Sequence, residues 1–266
     1  MNAREKIEKA LEVNVENVEK RITSFIRNKI DEAGAEGAVI GLSGGLDSTT
    51  VSFLSAEALD GKNVLTIFMP EEGITEKANA EDAERVSETV GTEYKEVEIS
   101  GVLDEIKKEI DFSEGAKLAN ANLKPRIRMV ILYYYANMRN YLVVGGSNKS
   151  ELKCGYFTKY GDGAADILPQ GDLYKSQLRK LAENLGVPKS IIDKKPTAGL
   201  WKGQKDEDEL GLPYDKIDRI YTGLDLGLEK DEIAEALNIE ESKVAAFERR
   251  EQKSKHKTEM PPIPKL

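Results

Sequence analysis

The residues that can do chemistry begin at Gly41 to Ser48, GLSGGLDS, directly after the short apolar run AVI. Gly41, Leu42, Ser43, Gly44, Gly45, Leu46, Asp47 and Ser48 read as an anion cradle between a strand and a helix opening near Asp47 and Ser48. Glycines let backbone N–H groups approach phosphate oxygens, the serine hydroxyls donate further bonds, and a helix N-terminus adds positive potential. The stretch fits neither a Walker A loop nor a Gly-x-Gly-x-x-Gly fingerprint, so it is a phosphate loop without the usual lysine. Asp47 carries the most information, because a carboxylate beside a polyphosphate is repulsive unless a cation lies between them. Magnesium, bound by one or two carboxylates together with phosphate oxygens, resolves that conflict. The alternative is that Asp47 merely caps the helix, a position where aspartate is favoured.

The elements that must position this loop follow from periodicity. Ile7, Leu11, Val15, Val18, Ile22, Phe25, Ile26 and Ile30 recur every three or four residues and predict one amphipathic helix ending near Gly34. Strands and helices then alternate. AVIGLS, NVLTIFMP, EYKEVEIS and YLVVGGS read as strands; Ser48 to Leu59, TEKANAEDAERVSETVG, Val102 to Ile110 and KPRIRMVILYYYANMRN read as helices. That alternation predicts an α/β fold, a Rossmann-like open and mostly parallel sheet flanked by helices. Beyond Ser147 the strand signals largely stop. The stretch NKSELKCGYFTKYGDGAADILPQGD follows a strand's carboxyl end and is a candidate for substrate contacts. Shorter helices through YKSQLRKLAENLG, PKSIIDKKP, YDKIDRIYTGL and EKDEIAEALNIEESKVAAFERREQK complete a helical C-terminal part. We expect a single domain over residues 1–266: an N-terminal helix to 34, a nucleotide-binding core from about 36 to 150, and the substrate loop with its helices beyond.

Composition sets the class of partner. Lys and Arg number 39 against 48 Asp and Glu, a net charge of -9, so the summed field repels nucleic acid while leaving room for a small phosphorylated ligand held by local cations. The single cysteine, Cys154, excludes an intrachain disulfide and fits a reducing cytoplasm. The charged N-terminus has no apolar signal core, and no apolar run approaches the roughly 20 residues of a membrane helix. The expectation is a cytoplasmic protein without membrane partners.

SGGLDS resembles the pyrophosphate loop of the ATP pyrophosphatases, and the chain as a whole resembles the ammonia-dependent NAD synthetase family. The blocks NLKPRIRM, NKSELKCGYFTKYGDGAADILP, KKPTAGLW, DEDELGLPYDKID and KHKTEMPP carry that resemblance in order, from about residue 40 to the C-terminus. It implies amidation of deamido-NAD by ammonia: the nicotinate carboxylate attacks the α-phosphate of ATP, pyrophosphate leaves, and ammonia displaces AMP from the acyl adenylate. Such a site must cradle pyrophosphate, neutralise charge at the α-phosphate and exclude water.

The same resemblance assigns residues. Gly41 to Ser48 would hold the β- and γ-phosphates, Asp47 and Glu151 would ligate magnesium, and Lys175 and Thr197 would contact ATP, with Lys175 countering α-phosphate charge. Arg126, Lys159, Asp166, His256 and Lys257 would bind deamido-NAD. Where the family commonly has a threonine that contacts ATP, this chain has Gly146, so a backbone contact survives there but a hydroxyl contact does not, unless Ser147 substitutes. A homodimer with its sites at the interface is implied, with the apolar segment MVILYYYANM as one source of contact. No residues remain for a fused amidase, which implies free ammonia or a separate ammonia donor.

Rival readings weigh less. GMP synthetase, asparagine synthetase and tRNA-thiolating enzymes use a similar loop, but FTKYGDG and KHK belong to the NAD synthetase pattern. DEIAEALNIEESKVAAFERR has the look of a helix-turn-helix with Lys243, Arg249 and Arg250, yet the chain is acidic and any helical hairpin gives that pattern. A regulator that kept the loop without chemistry would be expected to lack Asp47, Glu151 or Lys175.

Overall fold

The computed structural model describes residues 1–266. Strands β1 (Gly37–Gly41), β2 (Val64–Phe68), β3 (Glu93–Glu96) and β4 (Tyr141–Val143) form one all-parallel sheet in the order β3-β2-β1-β4. Helices α1 (Ala3–Ala10), α2 (Val15–Glu32), α3 (Leu46–Leu59), α4 (Lys77–Val90), α5 (Ser100–Glu109) and α6 (Lys117–Arg139) precede or connect the strands. After β4 come α7 (Lys149–Cys154), α8 (Lys175–Asn184), α9 (Lys189–Ile192), α10 (Asp206–Leu210), α11 (Tyr214–Asp225), α12 (Lys230–Leu237) and α13 (Glu241–Ser254). The expected α/β architecture is therefore present. No helix is long and apolar enough to cross a membrane.

The central strands β1 and β2 are buried and apolar but for Thr66 because helices cover both sheet faces, whereas the edge strand β3, EYKE, is polar and half-buried to exposed. Side chains alternate across a strand. Ala38 and Ile40 enter a layer with Ile22, Ile26 and Leu54, while Val39 enters the opposite layer with Leu65, Leu132 and Val143. The C-terminal helices have a core of their own, in which Tyr214, Ile217, Tyr221, Ile233, Val244 and Phe247 meet.

Strand order explains where a ligand can go. From β1 the chain moves outward through β2 to β3, and α5 and α6 then return it to β4 on the other side of β1. At such a reversal the loops after the two strands diverge and leave a crevice at their carboxyl ends. Gly41–Ser48 leaves β1 into this crevice, and Gly145–Asn148 leaves β4 into it.

Two local expectations change. The predicted single N-terminal helix is two, because Asn14 caps α2 by accepting the Asn17 N–H at 2.7 Å, and the chain turns between Leu11 and Asn14. The apolar stripe then serves two cores: Ile7 and Leu11 join the C-terminal helices, whereas Ile22, Ile26 and Ile30 cover the sheet. Phe25, read as part of the stripe, is exposed. The second change is α7, a helix inside the stretch read as a substrate loop. Its capping box pairs Asn148 with the Glu151 N–H, and the Glu151 carboxylate with the Asn148 N–H.

Candidate functional site

The glycine loop is shaped by its neighbours. Gly44 has φ +75°, and a Cβ there would lie 2.5 Å from the Asn79 carbonyl oxygen of α4, so only glycine fits. Gly45 is the N-cap of α3 and offers no side-chain acceptor, which leaves the first amides of that helix without a side-chain cap. The Ser48 hydroxyl accepts the Ser43 N–H at 3.1 Å and lies 3.0 Å from the Ser43 hydroxyl. Two hydroxyls and a positive helix end thus face the same small volume.

Asp47 is not the cap. It sits in the first turn of α3, and its carboxylate accepts from the Lys175 ammonium at 2.5 Å and from the Asn148 side-chain amide at 2.7 Å. The same ammonium donates to Glu151 Oε1 at 3.2 Å. Residues 101 and 128 positions away from Asp47 therefore converge on it. The Lys175 side chain is only 3% exposed and lies 5.2 Å from the Tyr214 ring centre.

Two carboxylates share one ammonium in this crevice. Burial, reinforced by the charge of Asp47, pushes the Glu151 carboxyl up to about 8 against the pull of Lys175. Burial disfavours the Lys175 ammonium, but Asp47 and Glu151 outweigh it and hold its pKa above the ordinary lysine value. No cluster of three His, Cys, Asp or Glu forms a closed metal cage. The donor set present, two converging carboxyl groups, fits a hard divalent cation that takes its other ligands from phosphate oxygens and whose charge would favour loss of the Glu151 proton.

Behind this triad lies a network that sequence reading missed. Ser150 Oγ donates to Asp218 Oδ1 at 2.5 Å and accepts the Lys175 N–H at 2.9 Å, while the Ser176 N–H donates to Asp218 Oδ2 at 2.8 Å. Asp218 thus ties α7, which carries Glu151, to α8, which carries Lys175. Burial raises its pKa, opposed by the bonds from Ser150 and Ser176. Its signal was available: Asp218 falls on the apolar stripe of Tyr214, Ile217 and Tyr221, where an acid needs a partner. Gln170 was also missed; its Nε2 donates to the backbone oxygens of Asp47, at 3.2 Å, and of Gly146.

Gly146 borders the loop, and a Cβ added there would meet the Asp47 and Ser48 backbone at 3.5 Å, an ordinary contact. Glycine is not sterically required at that position. Ser147 is buried. Thr197 lies exposed in the segment after α9, where its hydroxyl accepts the Gly199 N–H at 3.1 Å. That segment reaches the loop through Lys194, whose ammonium donates to the Gly44 carbonyl at 2.8 Å.

The other predicted residues gather elsewhere, beyond the far end of α7. Arg126 Nε donates to the Lys159 carbonyl at 3.3 Å, Lys159 Nζ donates to the His256 carbonyl at 2.5 Å, and Lys257 Nζ donates to the carbonyls of Gly155 and Phe157 at 2.7 and 2.9 Å. None of these three cations forms an ion pair with a carboxylate, and His256 is exposed beside them. Burial lowers the Lys257 pKa. Asp166 has a different setting: its carboxylate accepts the Val143 N–H at 2.7 Å and the Tyr133 hydroxyl at 2.9 Å, closing the end of β4.

With this geometry in view, the chain's similarities are specific. The sequence model of the family described as NAD synthase matches residues 18–261. An NH(3)-dependent NAD(+) synthetase of Archaeoglobus fulgidus is 46% identical over 254 residues, covering 96% of this chain and 98% of that protein. A second protein of that description, from Methanosarcina acetivorans, is 42% identical over 255 residues, covering 96% and 100%. Among solved structures, an NH3-dependent NAD synthetase of Campylobacter jejuni in complex with the nitrate ion is similar at TM-score 0.80 and 34% identity, covering 96% of this chain and 100% of that one. An NMN synthetase from Francisella tularensis is similar at TM-score 0.81 and 33% identity, with the same coverage.

Proposed function

The chain belongs to the NAD synthase family and is an ammonia-dependent NAD synthetase; from that premise we propose that it amidates deamido-NAD through an acyl adenylate made with ATP. The observation that carries this reading is the convergence of Asp47, Glu151 and Lys175 beside the uncapped N-terminus of α3. A carboxylate resists ammonia until one of its oxygens is made part of a good leaving group. The nicotinate oxygen attacks the α-phosphorus, the bond to the bridging oxygen breaks, and pyrophosphate departs with its electron pair. Ammonia then adds to the acyl carbon, loses a proton, and expels AMP.

Each part of the crevice has a role in that sequence. The amides of Gly41 to Ser48, with the Ser43 and Ser48 hydroxyls, receive the β- and γ-phosphates and so stabilise the departing pyrophosphate. Lys175 supplies positive charge near the α-phosphate, and Thr197 and the Gly146 backbone contact the nucleotide. Asp47 and Glu151 would hold magnesium, which supplies Lewis-acid neutralisation of phosphate charge when bound. Arg126, Lys159 and Lys257, hydrogen-bonded only to carbonyls, are cations free to exchange those bonds for phosphates of the dinucleotide, and His256 lies exposed beside them as a further contact. Asp166 completes that side.

A second copy of the chain is the expected partner. Val130, Tyr134 and Met138 recur every fourth residue along α6 and are 70%, 63% and 57% exposed, an apolar stripe beside Arg126 that an identical helix would cover. Sedimentation at micromolar protein should give twice the 29.5 kDa chain mass, and a monomer would remove this part of the reading.

The deciding assay combines protein, ATP, magnesium and ammonium with either deamido-NAD or nicotinate mononucleotide, and follows pyrophosphate and the amide product. NAD and pyrophosphate should appear together from deamido-NAD, with glutamine a poor substitute for ammonium. Turnover of the mononucleotide alone would move the substrate to that of the relative named NMN synthetase. Turnover of neither would overturn the proposal.

A further inference from the structure

The lysine missing from the glycine loop is supplied from 150 residues further along the chain, and it approaches from behind. Lys194 Nζ donates to the Gly44 carbonyl at 2.8 Å and to Asn79 Oδ1 at 2.8 Å, and it pairs with Asp82 Oδ2 at 2.5 Å. An ammonium has three protons, and these partners use all of them. Asn79 and Asp82 lie on one turn of α4, the turn that also excludes a side chain at Gly44.

Orientation is the consequence. In a trans peptide the C=O and the following N–H point in opposite directions. With the Gly44 carbonyl turned onto Lys194, the Gly45 N–H points toward the Ser43 hydroxyl, 3.4 Å away, on the side where the Ser43 and Ser48 hydroxyls meet. An anion cradle works only with its amides inward and its carbonyls outward. Gly44–Gly45 is the peptide in the loop most free to flip, since neither residue has a Cβ to resist it.

We propose that Lys194 is a positioning residue that locks the Gly44–Gly45 peptide with its amide facing the phosphates, while touching no phosphate itself. This rests on the reading of Gly41 to Ser48 as the cradle for the ATP phosphates. Because Lys194 lies three residues before Thr197, the same bond ties the segment carrying Thr197 to the cradle.

The test is calorimetric titration of the full chain with magnesium pyrophosphate and, separately, with deamido-NAD, alongside thermal melts. Lys194→Met should weaken pyrophosphate binding by about tenfold or more, the worth of one charge-assisted hydrogen bond, and leave deamido-NAD within about twofold. Asp82→Asn separates positioning from direct charge. It frees the ammonium from its carboxylate, so a lysine that bound phosphate directly would bind tighter, whereas a lysine that needs its anchor gives weaker binding. Unchanged pyrophosphate affinity in Lys194→Met, or tighter binding in Asp82→Asn, overturns the inference. Loss of a cooperative melt in both variants assigns Lys194 to the fold and overturns it too. A wild-type chain that binds no pyrophosphate overturns the cradle reading and the inference together, and that outcome is distinct from a variant that binds as wild type does.

Discussion

The two ends of α7 present two ways of holding charge. At its N-terminal end Asp47, Asn148, Glu151 and Lys175 come from three segments and satisfy one another through side chains in a buried crevice. Beyond its C-terminal end Arg126, Lys159 and Lys257 are tied only to backbone carbonyls, with His256 exposed beside them. Six helical residues, roughly 9 Å at 1.5 Å per residue, separate them. The first arrangement is fixed before any ligand arrives, as stabilising a reaction's developing charge requires. The second leaves cations whose bonds an incoming phosphate can replace at small cost. On the proposed function, pre-organisation and recruitment are segregated along one short helix.

The sharpest way to break this contrast is to remove its buried cation. Lys175→Ala leaves the half-buried Asp47 and Glu151 carboxyls without the buried cation they share, and should cost about 3 kcal/mol in denaturant unfolding, the low end for a buried pair, and roughly a hundredfold or more in turnover. A loss under about 1 kcal/mol would make the crevice no different from an exposed ion pair. Asp47→Asn keeps the shape and the bond from Asn148, so it should reduce turnover by roughly a hundredfold or more while unfolding stays cooperative. Near-normal activity would leave Asp47 a purely structural residue. Gly44→Ala comes next, with φ +75° and a contact at 2.5 Å to resolve, and should destabilise by about 1–3 kcal/mol.

Smaller effects probe the other end. Arg126→Ala should change stability by no more than about 0.5 kcal/mol yet raise KM for deamido-NAD about tenfold at little change in kcat. Equal losses in unfolding free energy and in KM would show that this region is as pre-built as the crevice. The gentlest test is pH. The Glu151 carboxyl is raised from 4.5 to about 8, so the stability it contributes is complete below about 4.5 and is lost as pH rises through about 8. In a metal-free buffer Glu151→Gln should therefore compare more favourably with wild type at pH 9 than at pH 5, by a few degrees in Tm. The reverse trend would mean that Lys175 already keeps Glu151 charged.

Much of the scaffold was legible because its signals are local. Apolar runs marked β1, β2 and β4, though not the polar edge strand β3, and Gly91, left-handed at φ 69°, ended α4 as its position indicated. The N-terminal pair of helices was misread as one because the apolar period continues across Leu11–Asn14; only the cap at Asn14 interrupts it. The Asn148 and Glu151 spacing was a capping-box signal that the glycine-rich surroundings obscured. Residues grouped by resemblance as binding deamido-NAD proved physically unlike one another, Asp166 holding a strand end while the cations hold loops together.

By itself the sequence determined the kinds of element, the order of the blocks, and the presence of an anion loop that lacks its own lysine. Tertiary structure decided which charges meet. Asp47 finds Lys175 across 128 residues, and Gly44 finds Lys194 across 150, because the strand order reverses between β1 and β4 and the helices after β4 fold back over the opening. Helical and strand periods fix which face a side chain takes within its own element. They carry no information about which distant element will lie against that face; that follows from burying both sides of the sheet at once.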